Sequence, residues 1–419
     1  MKLLKSFSTY TIIGFLGSGI SLLIAPILTH YLTKADYGVL TLFNTYVTIL
    51  IPIIGLTSTS ILSVDYFKIS GTPYQNLFKS SLIPPAIGLV VLSVLFLLLR
   101  QPLSVLTEVP EDWLLLIPII AFMVMVFELL QSQLVIRKEA KMYGAFMLSK
   151  IIVEVSLTLL FVTVLLYGWK GRISSWLIAM TLALIPAYFF FRKWQYNRGN
   201  INKADIIRSL AFGIPLISHQ LGKFVINQSD RLFIAKMTSL DDTGVYSIGY
   251  VVGATVLIFA NAGHKVFNPF FFERMNDLTR EKAIEIVRFS WGFFLAIGLF
   301  TAIVSFLSPF VFDWVIDSEF AEGASYVFWI GLSYWFWGGY LILSNYIFHL
   351  KRTKILGYIA LVNVSLNLLL NYFLIDLFGP IGAAYATAIS FITVFVIVAI
   401  VAQRLFPMPW FNFRVILKR

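Results

Sequence analysis

Apolar runs long enough to cross a bilayer recur along almost the whole chain, and no other feature constrains its fold as strongly. About twenty predominantly apolar residues suffice for a hydrocarbon core ~30 Å thick. In the first half such runs occupy Ser8–His30, Val39–Val64, Leu82–Leu99, Leu114–Ile136, Tyr143–Tyr167 and Ser175–Phe191. The second half supplies Leu210–Lys236, Gly244–Phe267, Ala283–Leu307, Tyr326–His349, Ile355–Ile375 and Ile381–Val401. No interval between them is long enough for a soluble domain. Of the 419 residues, 59% are hydrophobic and 13% charged, against roughly half and a quarter in soluble globular proteins. The expected fold is an all-α integral membrane protein with about twelve transmembrane helices in two similar six-helix bundles around a central cavity. Expected boundaries are a first bundle over residues 1–191, a basic cytoplasmic linker over 192–209, a second bundle over 210–403 and a basic tail over 404–419.

The net charge of +11 belongs to topology. With the amino terminus in the cytoplasm, alternating segments place 23 Lys and Arg inside and five outside. That bias is the positive-inside rule, and it sets both termini in the cytoplasm. Nucleic acid is therefore not an expected partner. Met1–Lys5 is basic, but the apolar run after it is too long for a cleaved signal peptide and lacks a small-residue cleavage site. The absence of cysteine excludes disulfides and thiolate metal sites.

Two short patterns suggest duplication. "TKADYGVL" (Thr33–Leu40) follows the first span and "SLDDTGVY" (Ser239–Tyr246) follows the seventh, with Asp36, Gly38 and Val39 placed as Asp242, Gly244 and Val245 are. "YGWKG" and "FGPIG" close the fifth and eleventh spans alike. Copies with an even number of spans share one orientation, so their symmetry axis lies along the membrane normal.

Ionisable groups at the centre of a span are costly and usually face a bundle interior or an aqueous cavity. On the seventh span His219, Asp230, Lys223, Asn227, Gln220 and Arg231 fall at about 0, 20, 40, 80, 100 and 120°, one third of the helix surface. Lys223 lies near mid-depth, where snorkelling to an interface is difficult, so a cavity-lining role is expected. Asp230 and Arg231 stand about 11 Å nearer the outer face, where snorkelling and substrate contact are both open for Arg231. Lys265 groups with Asn261, His264 and Asn268 near the inner end of the eighth span, either as an anion-greeting patch or as a solvated helix end. Glu128 on the fourth span and Lys150 on the fifth sit at similar depth, so either a structural pair or a functional role is open. Glu154, at i,i+4 from Lys150, matches Lys223 in depth and is a candidate gate contact or proton site. Asn363, Asn367 and Asn371 recur every four residues on the eleventh span, suited to interhelical hydrogen bonds or ligand contacts. Cations outnumber acids on the second half's spans, which suits an anion such as a phosphate better than a cationic drug.

Enzymatic alternatives find little support. The chain has no phosphate-cradling "GxxxxGK[ST]". The longest outer loops, Arg100–Trp113 and Pro309–Ser325, are short, and their Glu108, Glu111, Asp112, Asp317 and Glu319 read as a solvated rim.

"FLGSGISLLIAPILTHYLTKADYGVLTLFNTY", "LAFGIPLISHQL…QSDRLFIAKMTSLDDTGVYSIGY" and "GYIALVNVSLNLLLNYFLIDLFGPIGAAYATAIS" resemble the polysaccharide repeat-unit flippases. These are the O-antigen, or Wzx-type, family of the multidrug/oligosaccharidyl-lipid/polysaccharide exporter superfamily. The resemblance implies two six-helix bundles flanking a cavity. It also implies translocation of a polyprenyl-pyrophosphate-linked oligosaccharide between leaflets of a bacterial inner membrane by alternating access. No cofactor is expected, although coupling to a proton or sodium gradient is implied. Expected partners are the lipid-linked oligosaccharide, membrane lipid, and a polysaccharide polymerase with its chain-length regulator. On this reading Lys223, Arg231, Lys265, His219 and Asn227 serve the pyrophosphate and cavity, and Glu154, Asp230, Glu128 and Lys150 serve gating or ion coupling. Asp230–Arg231 falls on a similar acidic–basic position of the family, with structural and substrate-contact roles both open. Lys223 matches no motif and rests on the physical argument alone. The rival readings are an ion-coupled small-molecule antiporter of the same superfamily and a membrane polymerase or transferase.

Overall fold

A computed structural model describes Leu22 and residues 24–410, apart from the side chain of Lys223. Most of the first expected span therefore lies outside the described residues. The rest is helical, with no strand among the described residues. Membrane-length apolar helices are α1 (Lys34–Ile54), α2 (Thr72–Leu98), α3 (Glu111–Ile136), α4 (Ala140–Val164) and α5 (Gly168–Lys193). A long helix α6 (Lys203–Met237) follows, bent between Gly222 and Phe224. After it come α7 (Leu240–Met275), α8 (Arg280–Trp314), α9 (Ala324–His349), α10 (Thr353–Phe378) and α11 (Ile381–Leu405). Each matches one expected span from the second to the twelfth, so α6 is the seventh. The chain is a multi-pass membrane protein.

The helices form two compact units, Met1–Gln228 and Ser229–Arg419. The division falls inside α6, between Gln228 and Ser229. In the first unit Phe127 and Leu130 of α3, Phe146 of α4, and Met180 and Ala187 of α5 form one core cluster. In the second, α9 is the central helix, in contact with α7, α8, α10 and α11. Its Gly338 and Gly339 admit Ile297 of α8 and Phe395 of α11 at close range, the use of small residues common between membrane helices. α2 and α8 leave Val90, Val94, Leu98, Leu299 and Phe306 exposed, as lipid-facing helices should.

The second expected span, Val39–Val64, is broken. α1 ends at Ile54, and Leu56 and Thr57 then adopt left-handed backbone, φ 47° each. A 3₁₀ turn (Ser58–Ser60) and a short helix (Ile61–Asp65) complete the segment. The hydroxyl-rich run "TSTS" competes with the helical ladder for hydrogen bonds. Thr57 Oγ1 donates to the Gly213 carbonyl of α6, and Ser58 Oγ donates to the Ser81 carbonyl at 2.9 Å.

The repeated sequence patterns perform the same local work in each unit. Thr33 caps α1 by accepting from the Asp36 N–H at 3.1 Å, and Ser239 caps α7 by accepting from the Asp242 N–H at 3.0 Å. Both are N-caps that satisfy a first-turn donor. Gly168 and Gly379 turn the chain with φ of 57° and 70°. Gly171 and Gly382, three residues later, sit against the backbone of the preceding helical segment. A Cβ would stand 3.0 Å from the Phe161 carbonyl oxygen at the first and 2.0 Å from that of Leu374 at the second.

Candidate functional site

The polar stripe of α6 is divided by the fold. His219 and Gln220 are exposed and Asn227 is half-buried, all within the first unit. The Lys223 side chain lies outside the described residues. Two turns further on, Asp230 and Arg231 belong to the second unit and are only 4% and 5% exposed.

Those two residues anchor a buried polar knot. Arg231 Nη1 donates to Asp230 Oδ1 at 2.7 Å, and the Tyr246 hydroxyl donates to Asp230 Oδ2 at 2.6 Å. The guanidinium lies 3.9 Å from the centre of the Tyr250 ring, a cation–π contact. The Tyr250 hydroxyl is hydrogen-bonded to that of Tyr334 on α9. Tyr246 and Tyr250 reach the same place because residues at i and i+4 share a helix face. The spacing "YSIGY" carried that signal, and sequence reasoning overlooked it. Arg231 is thus enclosed by protein, not extended to an interface.

A second ion cluster lies in the first unit. Glu154 is buried, bonded to Lys150 one turn earlier on α4 and to Arg172 Nη2 of α5 at 2.7 Å. Arg172 Nη1 also donates to Thr158 Oγ1 at 3.3 Å. Lys150 therefore pairs with Glu154 and not with Glu128. Arg172 stands one turn into α5. With two cations on one carboxylate, Glu154→Gln is expected to destabilise the unit by about 1.5–3 kcal/mol, the range for hydrogen bonds to charged groups. A lowered thermal unfolding midpoint in detergent reads this out, and an unchanged midpoint would dismiss the cluster as a structural clamp.

Glu128 is left without an ion pair among the described residues. It is exposed to a cavity of about 230 Å³ that also receives Thr59, Ser60, Ser63, Ser132 and Gln220. Ser63 and Ser132 are hydrogen-bonded at 2.7 Å across it. This cavity opens where α1 breaks.

On α7, Lys265 is exposed and has no ion pair among the described residues. Its neighbour His264 is within 3.4 Å of Asn345 Nδ2. Asn363, Asn367 and Asn371 of α10 are buried. Asn371 Nδ2 donates to Asn367 Oδ1 at 3.0 Å, and Ser229 of α6 donates to the same oxygen at 3.4 Å. The asparagine row thus includes a hydrogen bond between helices.

The same fold occurs in solved transporter structures. The lipid II flippase MurJ, in an inward closed conformation, is 13% identical with a TM-score of 0.68, over 93% of this chain and 87% of that one. An inward-facing MATE-family multidrug resistance transporter of the MOP superfamily is 14% identical with a TM-score of 0.65, over 93% and 95%. The chain shares its fold with these structures. Among sequences, a protein of the Lsg locus of Haemophilus influenzae is 24% identical over 372 residues, 85% of this chain and 87% of its own. The polysaccharide biosynthesis protein family matches residues 3–275, and the chain belongs to that family.

Proposed function

We propose that this chain is a flippase that carries a polyprenyl-pyrophosphate-linked oligosaccharide from the cytoplasmic to the outer leaflet of a bacterial inner membrane, for O-antigen or another surface polysaccharide. Membership of a polysaccharide biosynthesis family combined with a fold shared with a lipid II flippase is the observation that carries this reading. The charge bias of the loops supports cytoplasmic termini. With Arg231 bonded to Asp230 and Lys150 to Glu154, Lys223 and Lys265 are the cations assigned to the pyrophosphate, and the exposed His219 and Gln220 to the adjoining polar path. Alternating access follows if substrate binds the two states with different affinity. A polymerase and a chain-length regulator are the partners such a pathway requires.

Lys223→Ala is expected to abolish surface polysaccharide in cells that depend on this chain, with the protein still present in the membrane. Lipid-linked repeat units should accumulate in the inner leaflet. Normal polysaccharide in that variant would remove Lys223 from the mechanism. Proteoliposomes that flip no lipid-linked oligosaccharide yet extrude cationic dyes would replace the flippase reading with the antiporter one.

A further inference from the structure

We infer that the second unit carries a site for an anionic phospholipid. It is a groove of about 390 Å³ framed by Trp291 and Phe294 of α8, Gly339 and Leu343 of α9, and Phe395 and Gln403 of α11. Its base is aromatic. Phe294 and Phe395 stack with centroids 5.4 Å apart, and both rings lie against Gly339, where a Cβ would stand 2.9 and 2.5 Å from them. From Phe395 to Gln403 on α11 the groove runs about 12 Å, at 1.5 Å per residue. It reaches the outside of the unit at Ile400, which is 49% exposed. Leu295 and Val396, next to the two phenylalanines, are exposed as well. The polar side chains that the three helices bring to the groove are engaged within the protein. Ser290 Oγ donates to the Ile286 carbonyl at 2.7 Å, and Trp291 Nε1 to the Trp410 carbonyl at 3.0 Å. Gln403 Nε2 donates to the Met408 carbonyl at 3.3 Å, and its Oε1 accepts from the Met408 N–H at 3.1 Å. With these bonds made, the helices offer a sugar or a peptide little to bind, and burying either there costs its hydration. A hydrocarbon chain meets no such penalty.

Charge stands at one end of the groove only. The Trp291–Trp410 bond ties the early turns of α8 to the chain just past α11. Arg288 precedes Ser290 and Arg404 follows Gln403, so both arginines lie beyond that same end, and both are exposed. Two acids of this region, Glu285 and Asp277, are paired with Arg274 and Lys282. Basic groups beside an apolar recess between membrane helices suit the head group of an anionic lipid, and tryptophans gather at that interfacial depth. One acyl chain therefore occupies the groove, with the phosphate at Arg288 and Arg404. A lipid-linked oligosaccharide shares the chain and the phosphate, but its sugars would find no partner among Ser290, Trp291 and Gln403. The site does not rest on the flippase reading.

The test titrates the purified full-length protein in detergent with phosphatidylglycerol or phosphatidylcholine of identical acyl chains, and counts bound lipid by native mass spectrometry. Saturable binding of phosphatidylglycerol is expected, with a thermal unfolding midpoint higher than in phosphatidylcholine. Arg288→Gln combined with Arg404→Gln should weaken phosphatidylglycerol binding by more than about tenfold. The same pair of changes should leave phosphatidylcholine binding and the lipid-free midpoint as they are. Ala399→Phe, which fills the groove, should weaken binding of both lipids with the arginines intact, whereas Val396→Phe beside it should not. If Ala399→Phe lowers the lipid-free midpoint, the arginine variant decides the matter alone. Equal binding of the two lipids by the parent protein, or parental phosphatidylglycerol binding by the arginine variant, would overturn the site. Preference for a polyprenyl phosphate over phosphatidylglycerol would give the groove to a carrier lipid, and a dimer dispersed by Ala399→Phe would give it to a second copy. Either result also overturns the inference.

Discussion

Asp230→Ala is expected to cost the second unit about 3–5 kcal/mol, the range for breaking a buried ion pair from one side. The substitution takes the paired carboxylate away from the Arg231 guanidinium, which is 5% exposed. It also removes the acceptor of the Tyr246 hydroxyl, which is fully buried. Cation–π contact with Tyr250 recovers at most a couple of kcal/mol. Removing both charges, as Asp230→Ala with Arg231→Leu, should restore most of the loss, since replacing a whole buried pair by apolar groups is often neutral. The thermal unfolding midpoint of the single and double variants in detergent checks this. A single variant as stable as the parent would mean that the pair does not hold α6 to α7, and would return Asp230 and Arg231 to the list of transport residues.

Gly382→Ala is expected to be comparably severe, for a different reason. Its Cβ would stand 2.0 Å from the Leu374 carbonyl oxygen, 2.3 Å from the Leu374 carbonyl carbon and 2.6 Å from the Ile375 nitrogen. All three are backbone atoms of α10, so no rotamer change relieves the overlap. α10 and α11 would have to part at a turn fixed by Gly379 and Pro380. Overpacking costs about 1–3 kcal/mol where side chains yield, and here the upper end or beyond is expected. Gly357→Ala on the same α10 is the matched control, since nothing lies within 4 Å of its Cβ position. That change should be neutral or stabilise by up to about 1 kcal/mol through helix propensity. Protein yield and monodispersity after extraction separate the two variants, and equal behaviour would refute the close-contact argument.

What could be read without the structure was whatever depends on neighbours along the chain. Span length and apolarity gave the helices from the second span to the twelfth. The "TKAD" and "SLDD" patterns turned out to be equivalent caps, and the paired Gly-x-x-Gly turns equivalent hairpins, because caps and turns are built from adjacent residues. The i,i+4 spacing made a Lys150–Glu154 pair available without selecting it over Glu128. Choices between distant groups were not legible. Whether Lys150 would turn to Glu128 or to Glu154, and whether Arg172 would join it from α5, is set by how the helices pack. The angular stripe on α6 put Asp230 and Arg231 beside His219 and Asn227, yet periodicity says nothing about which part of a stripe a neighbouring helix covers. The break after Ile54 was hidden because "ILIPIIGLTSTSILSV" is apolar enough to read as one continuous run.

The sharing of α6 bears on how the protein is made. Two similar halves in one chain invite misassembly, with helices of one copy docking into the place of their counterparts in the other. Here the first unit is incomplete until α6 emerges, because Thr57 and Asp65 await Gly213 and Arg208 on that helix. These bonds become available before the second unit has been translated. The later half of α6 then presents Asp230 and Arg231 as the foundation on which α7 is laid. One helix thus carries partners for both units, its earlier residues for the first and its later residues for the second.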